Sequence, residues 1–435
     1  MKKTVLFSAL IGVSLVTSLR FPTDNPPVRQ PRPDADNGGI TLPAGFGAVV
    51  VSEGVGKARH AVVAPNGDLY VKLGSLENGK GIVRLQDTNN DGKADVTTAF
   101  GGFKGTGIAI ANGFLYASSD TSVYRYPMKN GVVDESAQPE TIVTGLTLQR
   151  QHASKSIALD DAGKLYVNFG APSNSCQEKD RTKGSKGQDP CPILESYGGI
   201  WQFDANKQNQ RQADGLRYAT GIRNAVALDW NPVTKQLYAL QHGRDMLATL
   251  YPDMYTDAQS AELPSEEFLL VKKGADFGWP YCYFDGQQDK KMLAPEFGGD
   301  GKKQDRCAGK ERPILAFPGH WAPNDVLFYT AATGSANAFP AKYSNGAFIC
   351  FHGSWNRAPL KQGGYFVAFV PMNKDGKPSG PYEVFAEGFA GGPEIMSPGD
   401  AKARPVGLAQ GTDGSLYITD SVKGKVWRVM PGKKG

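Results

Sequence analysis

All five histidines of the chain stand beside turn residues or in long polar stretches: His60 in ARHAV, His152 in QRQHASKS, His242 in LQHGRD, His320 in FPGHWAPN and His352 in FHGSWNRAP. Imidazole takes up and releases a proton near neutral pH, so histidines placed this way point to acid–base work in a cleft. One loop histidine alone reads as a surface group. Several, contributed by successive units of a fold, point to a shared cavity. Arginines mark the same neighbourhoods: Arg59 ahead of His60, Arg223 with Asn224 in GIRNA, Arg357 after His352, and Arg404 opening RPVGLA. A guanidinium pairs with carboxylates or with charge building on an oxygen, although its common fate is a salt bridge inside the protein.

A second group of oxygen side chains lies at Asp87, Asn89, Asp91 and Asp95, with Gly92 between. The order is that of a calcium loop, but Thr98 stands where a bidentate Glu belongs and no flanking helical pattern is present. Two readings stay open, a structural calcium site and a polar hairpin turn. Cys176 and Cys191 bracket one polar segment, and Cys282 and Cys307 a second. Neither spacing resembles a zinc ribbon or a haem site, and each segment lacks apolar content of its own, so a disulfide is expected in each. Closing a loop of this size is worth roughly 3 kcal/mol. Cys350, inside GAFICF, is expected to be a buried thiol.

The elements that must position these groups announce themselves as a repeat. A turn of Asn or Asp with Gly, followed by an apolar-aromatic strand, recurs as PNGDLYV, ANGFLYA, DAGKLYV, TKQLYAL, SNGAFIC and TDGSLYI. Ahead of most copies sits another short strand, such as HAVVAP or SIALD. Six strand–turn–strand units without helical periodicity predict an all-β, six-bladed β-propeller. The uneven spacing of the copies predicts long insertions in the middle blades, within 170–220 and 241–342, and long insertions commonly serve a site. With 53 Gly and 29 Pro among 435 residues, the chain is turn-rich, and 40% hydrophobic residues are enough for a large core. A net charge of +5 without a long basic run argues against nucleic acid as partner.

Met1-Lys2-Lys3, the apolar run to Val16 and small residues at Thr17 and Ser18 predict a signal peptide over 1–18. After it come a flexible leader over 19–38 and the propeller over 39–435. No other stretch is apolar enough to cross a bilayer, so a periplasmic or secreted protein without an integral membrane segment is expected. Nothing in the sequence bears on oligomeric state.

The runs QHASKSIALDDAGKLYVNFGAPSNSC, TGIRNAVALDW, LQHGRD, KKGADFGWPYCYFD, FHGSWNR and RPVGLAQGTDGSLYITD, in this order from about Gly39 to the end, resemble the pyrroloquinoline quinone-dependent sugar dehydrogenases. The likeness is to the L-sorbosone/pyranose dehydrogenase branch, related to soluble aldose dehydrogenase. The resemblance implies oxidation of the anomeric carbon or aldehyde of a sugar, with hydride transfer to pyrroloquinoline quinone and electrons passed to an external cytochrome or quinone. By that likeness His152 is the general base and Arg223 assists it. Arg59, Arg223, Asn224, His352, Arg357 and Arg404 meet the cofactor. A calcium ion polarising the quinone is held by backbone carbonyls at Gly243 and Arg244, where this sequence departs from the Gly-Pro-Asn of soluble glucose enzymes. Imidazole with its ordinary pKa would suit the base's task. Two other classes remain: a calcium-dependent lactonase on a similar propeller, and a non-catalytic binding propeller.

Overall fold

The computed structural model describes Met1 and residues 30–331 and 334–432. Apart from Met1, the expected signal peptide lies outside the described residues.

Each predicted strand–turn–strand unit forms the two inner strands of a four-stranded blade. Blade 1 is Ala58–Val63, Leu69–Glu77, Lys80–Gln86 and Val96–Phe100, and blade 2 is Ile108–Ala111, Phe114–Ser118, Val123–Lys129 and Glu140–Val143. Blade 3 contains Ile157–Leu159, Lys164–Phe169, Gly199–Asp204 and Leu216–Thr220. Blade 4 contains Ala225–Asn231, Gln236–Gln241, Glu266–Val271 and Leu315–Phe317. Blade 5 is Pro323–Phe328, Ala347–Phe351, Phe366–Val370 and Glu383–Ala386. Blade 6 joins Pro405–Gln410, Leu416–Asp420 and Val426–Pro431 to Phe46–Ser52 from the opposite end of the chain, which closes the ring. All these pairings are antiparallel.

The turn residues of the repeat do what their types allow. Gly67, Gly113, Gly163 and Gly414 take positive φ, and in the unit that lacks this glycine Lys235 adopts φ 55° instead. The aromatic of the repeat has a second task. Its ring fills the seam toward the next blade, and a buried phenol must find a hydrogen-bond partner there. Tyr70 OH accepts from Val133 N at 3.2 Å and Tyr238 OH donates to Gly376 O at 2.8 Å, each reaching the following blade. The core is accordingly divided among the seams: Tyr70, Phe100, Leu115 and Tyr126 pack between blades 1 and 2, and Val51, Val71, Val83 and Tyr417 between blades 6 and 1.

The first strands line the axis around a cavity of about 310 Å³. Because strands alternate in direction, the starts of first strands and the ends of second strands share one end of the propeller. His60, Arg59, His152, Arg223, His242, His320, His352 and Arg404 all fall at that end. The Asp87–Asp95 run joins the third and fourth strands of blade 1, and therefore lies at the other end.

The stretches expected as insertions are partly blade. Within 170–220 the excursion is 170–198, and Gly199–Asp204 and Leu216–Thr220 are outer strands of blade 3. Within 241–342 the excursions are 242–265, with helices Leu247–Leu250 and Asp257–Glu262, and 272–314, with the hairpin Cys282–Asp285 and Lys290–Leu293. Disulfides Cys176–Cys191 and Cys282–Cys307 staple the two polar segments, and Cys350 is a buried thiol. The last residues expected as leader lie against the outer edge of blade 6: Asp34 N donates to Ala48 O at 2.8 Å, and Val50 N donates to Asp34 Oδ2 at 2.8 Å. They cover an edge strand that would otherwise present unpaired backbone groups.

Candidate functional site

His152 sits in the connection from blade 2 to blade 3 with a left-handed backbone, φ 53°, uncommon outside glycine though histidine takes it more readily than most. The Gln149 amide holds the backbone there, donating to the carbonyls of Gln151 at 2.6 Å, His152 at 3.1 Å and Gly170 at 2.8 Å. Gly170 must lack a side chain, since a Cβ there would stand 2.6 Å from His152 Cβ. His152 Nδ1 lies 2.5 Å from Ala171 O. A carbonyl only accepts, so Nδ1 is assigned the proton and Nε2 becomes the basic nitrogen. Burial, reinforced by the Arg223 charge, pushes this imidazole down to about 3. The structure thus departs from the ordinary pKa expected of the base: His152 is held neutral throughout the neutral range, with less proton affinity than a free imidazole.

His152 shares a cavity of about 290 Å³ with Gln151, Arg181, Arg223, His242, Gly243, Asp245, Glu266, His320 and loop residues 355 and 356. Its organising group is Asp245. Burial opposes ionisation there, but Arg223, His320 and Arg181 together hold the carboxyl below the usual carboxylate range. Asp245 Oδ2 accepts from Arg223 Nη2 at 2.8 Å and Arg181 Nη2 at 2.7 Å, and Oδ1 accepts from Asn356 Nδ2 at 2.5 Å. One carboxylate therefore joins the insertions of blades 3, 4 and 5.

Arg223, expected to meet the reacting groups, has its donors spent on the protein: Nε on Asn174 O, Nη1 on Gly243 O at 2.8 Å, Nη2 on Asn174 Oδ1 and Asp245. It lines the cavity as a fixed positive wall. Asn224 Oδ1 accepts from Asn168 Nδ2 at 3.1 Å. Arg357 is drawn away from the axis, toward Glu262 and the carbonyls of Ala261 and Gly319, so the structure gives it the salt-bridge role. Arg244 likewise pairs with buried Glu296 at 2.6 Å. Arg404 Nε and Nη2 donate to the carbonyls of His352 and Gly353 at 3.1 and 2.6 Å, while His352 Nε2 meets Ser421 Oγ at 2.7 Å.

Arg59 differs from these. Its Nε donates to Thr106 Oγ1 at 3.1 Å, and among the described residues Nη1 and Nη2 have no protein partner. Burial pushes its guanidinium down to about 10. The charges of Arg59 and Arg404 both act on His352, and those of Arg59 and Arg223 on His242, so these groups surround the axis within electrostatic reach of one another. His60 and His320 instead rest on the carbonyls of Asn324 and Ser260 at 2.7 and 2.8 Å.

Five participants were not among the residues expected from the sequence: Gln149, Arg181, Asp245, Glu266 and Asn356. Glu266, 2% exposed, accepts from Gly243 N at 3.2 Å and Ala322 N at 3.4 Å, and burial raises it to about 8. Asp245, inside LQHGRD, is the member of this group whose neighbours in the chain, Gly243 and Arg244, gave a signal.

At the opposite end, the oxygens of the Asp87 run turn onto their own loop. Asp87 accepts from the backbone N–H of Asp91 and Gly92 at 3.1 and 2.8 Å, and Asp95 from that of Thr88 at 2.7 Å. Among the described residues no group of three or more His, Cys, Asp or Glu side chains is placed to hold a metal ion.

A family model described as TrAA12-like matches residues 40–431. The chain belongs to the TrAA12-like family. This TrAA12-like chain is 28% identical over 429 residues to a pyrroloquinoline quinone-dependent pyranose dehydrogenase of Coprinopsis cinerea, covering 90% of this chain and 52% of that protein. It is 28% identical over 212 residues to an uncharacterized protein of Borreliella burgdorferi, covering 48% of each. It thus spans about half the length of these curated relatives. Among solved structures, a family AA12 carbohydrate-active enzyme of Trichoderma reesei shares the fold at TM-score 0.71 and 20% identity, covering 90% of this chain and 97% of that one. The quinone-binding domain of the Coprinopsis cinerea pyranose dehydrogenase does so at TM-score 0.68 and 20% identity, covering 93% and 99%.

Proposed function

We propose that this chain is a quinoprotein oxidoreductase that oxidises the anomeric carbon or aldehyde of a sugar, with His152 as the general base. The observation that carries the reading is the pairing of His152 Nδ1 with Ala171 O, which leaves Nε2 unprotonated beside a cavity walled by buried cations.

The residues fit a tricarboxylate. Among the described residues, Arg59 is a desolvated guanidinium whose outer nitrogens lack protein acceptors, and Arg404 holds two carbonyls through Nε and Nη2, leaving Nη1 without one. Arg59 and Arg404 would hold the carboxylates, with His352 and Asn224 close by. Pyrroloquinoline quinone bound there supplies a two-electron acceptor for hydride. The chain's own part is to take the hydroxyl proton on His152 Nε2, to keep that ring in one tautomer through Ala171, and to hold its backbone through Gln149. Arg223, fixed by Asp245, disfavours a standing positive charge on His152 and so keeps the base free. A hard cation would look to the Gly243 and Arg244 carbonyls, with Glu266, which accepts from Gly243 N at 3.2 Å, as the nearest acidic side chain. The Gly243 carbonyl already accepts from Arg223 at 2.8 Å, however. The lactonase alternative wants several carboxylate and amide oxygens converging in the channel, and Asn224 Oδ1 is engaged by Asn168.

The two disulfides suit an oxidising compartment, so we place the protein in the periplasm or outside the cell, handing its electrons to a separate acceptor. The test is titration with pyrroloquinoline quinone, with and without calcium, followed by addition of aldoses and a dye acceptor. Saturable binding and sugar-dependent bleaching are expected. Absence of binding under both conditions overturns the reading.

A further inference from the structure

Five of the six tryptophans are tied into the protein. Trp201 packs on Phe169, Trp230 on Tyr166, Trp321 on Phe351 and Trp427 on Phe389, while Trp279 donates to Asn174 O at 3.0 Å. Trp355 is different. It is 58% exposed, and among the described residues it has neither a ring contact nor a hydrogen bond, yet it lines the cavity that holds His152.

A loose loop does not account for this exposure. On one side of Trp355, Ser354 N donates to Gly363 O at 2.8 Å and Ser354 Oγ to Gln362 Oε1 at 2.7 Å. On the other, Asn356 Nδ2 donates to Asp245 Oδ1 at 2.5 Å, and Arg357 is held by Glu262. The backbone is pinned on both sides while the indole is left bare at the cavity. Arg181 reaches the same carboxylate from the Cys176–Cys191 loop, at 2.7 Å from Asp245 Oδ2, and touches Gln151 Oε1 at 3.4 Å. Gln151 Nε2 in turn donates to Asp180 Oδ2 at 2.9 Å, so Arg181 and Gln151 are fixed on the protein and wall the cavity, while among the described residues the indole face and the Asn356 carboxamide oxygen have no protein partner.

That combination matches the chemistry of a sugar ring. A pyranose presents a face of axial C–H bonds, which rests favourably on the electron-rich face of an indole, and an edge of hydroxyls, which donate to a free carboxamide oxygen. We propose that Trp355 is the stacking platform for the pyranose ring of the substrate, with the carboxamide oxygen of Asn356 accepting from one of its hydroxyls. Oxidation of the bound sugar rests on the oxidoreductase reading, whereas the binding itself does not.

The test uses the full mature chain and three probes: D-glucose, cellobiose and sorbitol, the last carrying hydroxyls without a ring face. In the cofactor-free wild type, glucose or cellobiose changes tryptophan emission saturably and sorbitol does not, and Trp355→Phe abolishes the response. In the loaded enzyme, Trp355→Ala raises KM tenfold or more with kcat within about threefold, and Trp355→Phe, which keeps a ring, restores most of the KM. A response that persists in Trp355→Phe, an equal response to sorbitol, no response in the wild type, or an unchanged KM in Trp355→Ala overturns the proposal. A wild type that shows the emission response but oxidises no sugar overturns the oxidoreductase reading and leaves the platform standing.

Discussion

The two ends of the propeller are built on the same strands and closed by opposite means. At the turn end, many polar side chains satisfy backbone groups a few residues away, as Asp87 does for Asp91 and Gly92, although Asp87 also stands 3.7 Å from Arg428 and Asp413 ties Arg428 to Asn337. At the site end, partners come from farther along the chain: Asp245 is held by residues 181, 223 and 356, from the insertions of neighbouring blades, and His152 by residue 171 at the far end of the blade 3 hairpin. The turn end can therefore lose a group and relax locally, exchanging it for water. At the site end, removing one group leaves buried charges without partners, and their desolvation cost is then felt by three blades at once. Chemistry needs the second kind of construction, because only long-range constraint can hold a basic nitrogen and cations at fixed positions.

The contrast breaks most sharply at His152. His152→Ala is expected to lower turnover by about 10²–10⁴-fold, with cofactor binding and circular dichroism unchanged; near-normal turnover removes it as the base. The same group carries a pH signature. Its folded pKa of about 3 lies below the unfolded value, so between the two only the unfolded chain binds the proton. The neutral folded imidazole is fully tolerated above about pH 6.5, and stability is lost as pH falls below that, by up to about 1.4 kcal/mol per pH unit for this residue. Chemical denaturation at pH 7 and pH 5 should show a shallower loss in His152→Ala than in the wild type. An NMR titration of the His152 ring with a midpoint near 6.5 contradicts the expectation.

Asp245→Ala comes next, with a cost of about 3–5 kcal/mol read from the denaturation midpoint, because Arg181 and Arg223 lose their common partner. A change below about 1 kcal/mol would mean the three insertions stand independently. Replacing Cys176 and Cys191 together by Ala should cost roughly 3 kcal/mol and, by freeing Arg181, raise KM for sugar; the corresponding Cys282 and Cys307 change should spare KM. The smallest effect belongs to the other end. Asp87→Ala is expected to cost about 1 kcal/mol in thermal unfolding and to leave turnover alone, and a loss as large as that of Asp245→Ala would erase the distinction between the two ends.

The fold is legible in the residues where the signal is local. The Asn or Asp with Gly ahead of Leu-Tyr-Val marks a turn and a half-buried strand within seven residues, and six copies imply six blades. The paired cysteines are equally plain, since each pair brackets a polar segment that cannot hold itself. The outer strands of the blades carry no common motif, so Gly199–Asp204 and Leu216–Thr220 read as part of an insertion, and the closure of blade 6 by Phe46–Ser52 leaves no local mark. Among the arginines, type and motif do not separate Arg59, with open outer nitrogens, from Arg357, which the Asp257–Glu262 helix captures through Glu262.

What the sequence by itself determined is therefore the repeat, the stapled loops and which histidines and arginines stand beside strand ends, because these depend on residue type and short spacing; the role of base for His152 came from the resemblance alone. Tertiary structure alone decided which cations are spent on protein carbonyls, that Asp245 gathers three insertions, that the imidazole is held neutral, and that one indole faces the cavity uncovered. Those outcomes depend on desolvation and on partners dozens of residues apart, and neither is set until the ring of blades has closed.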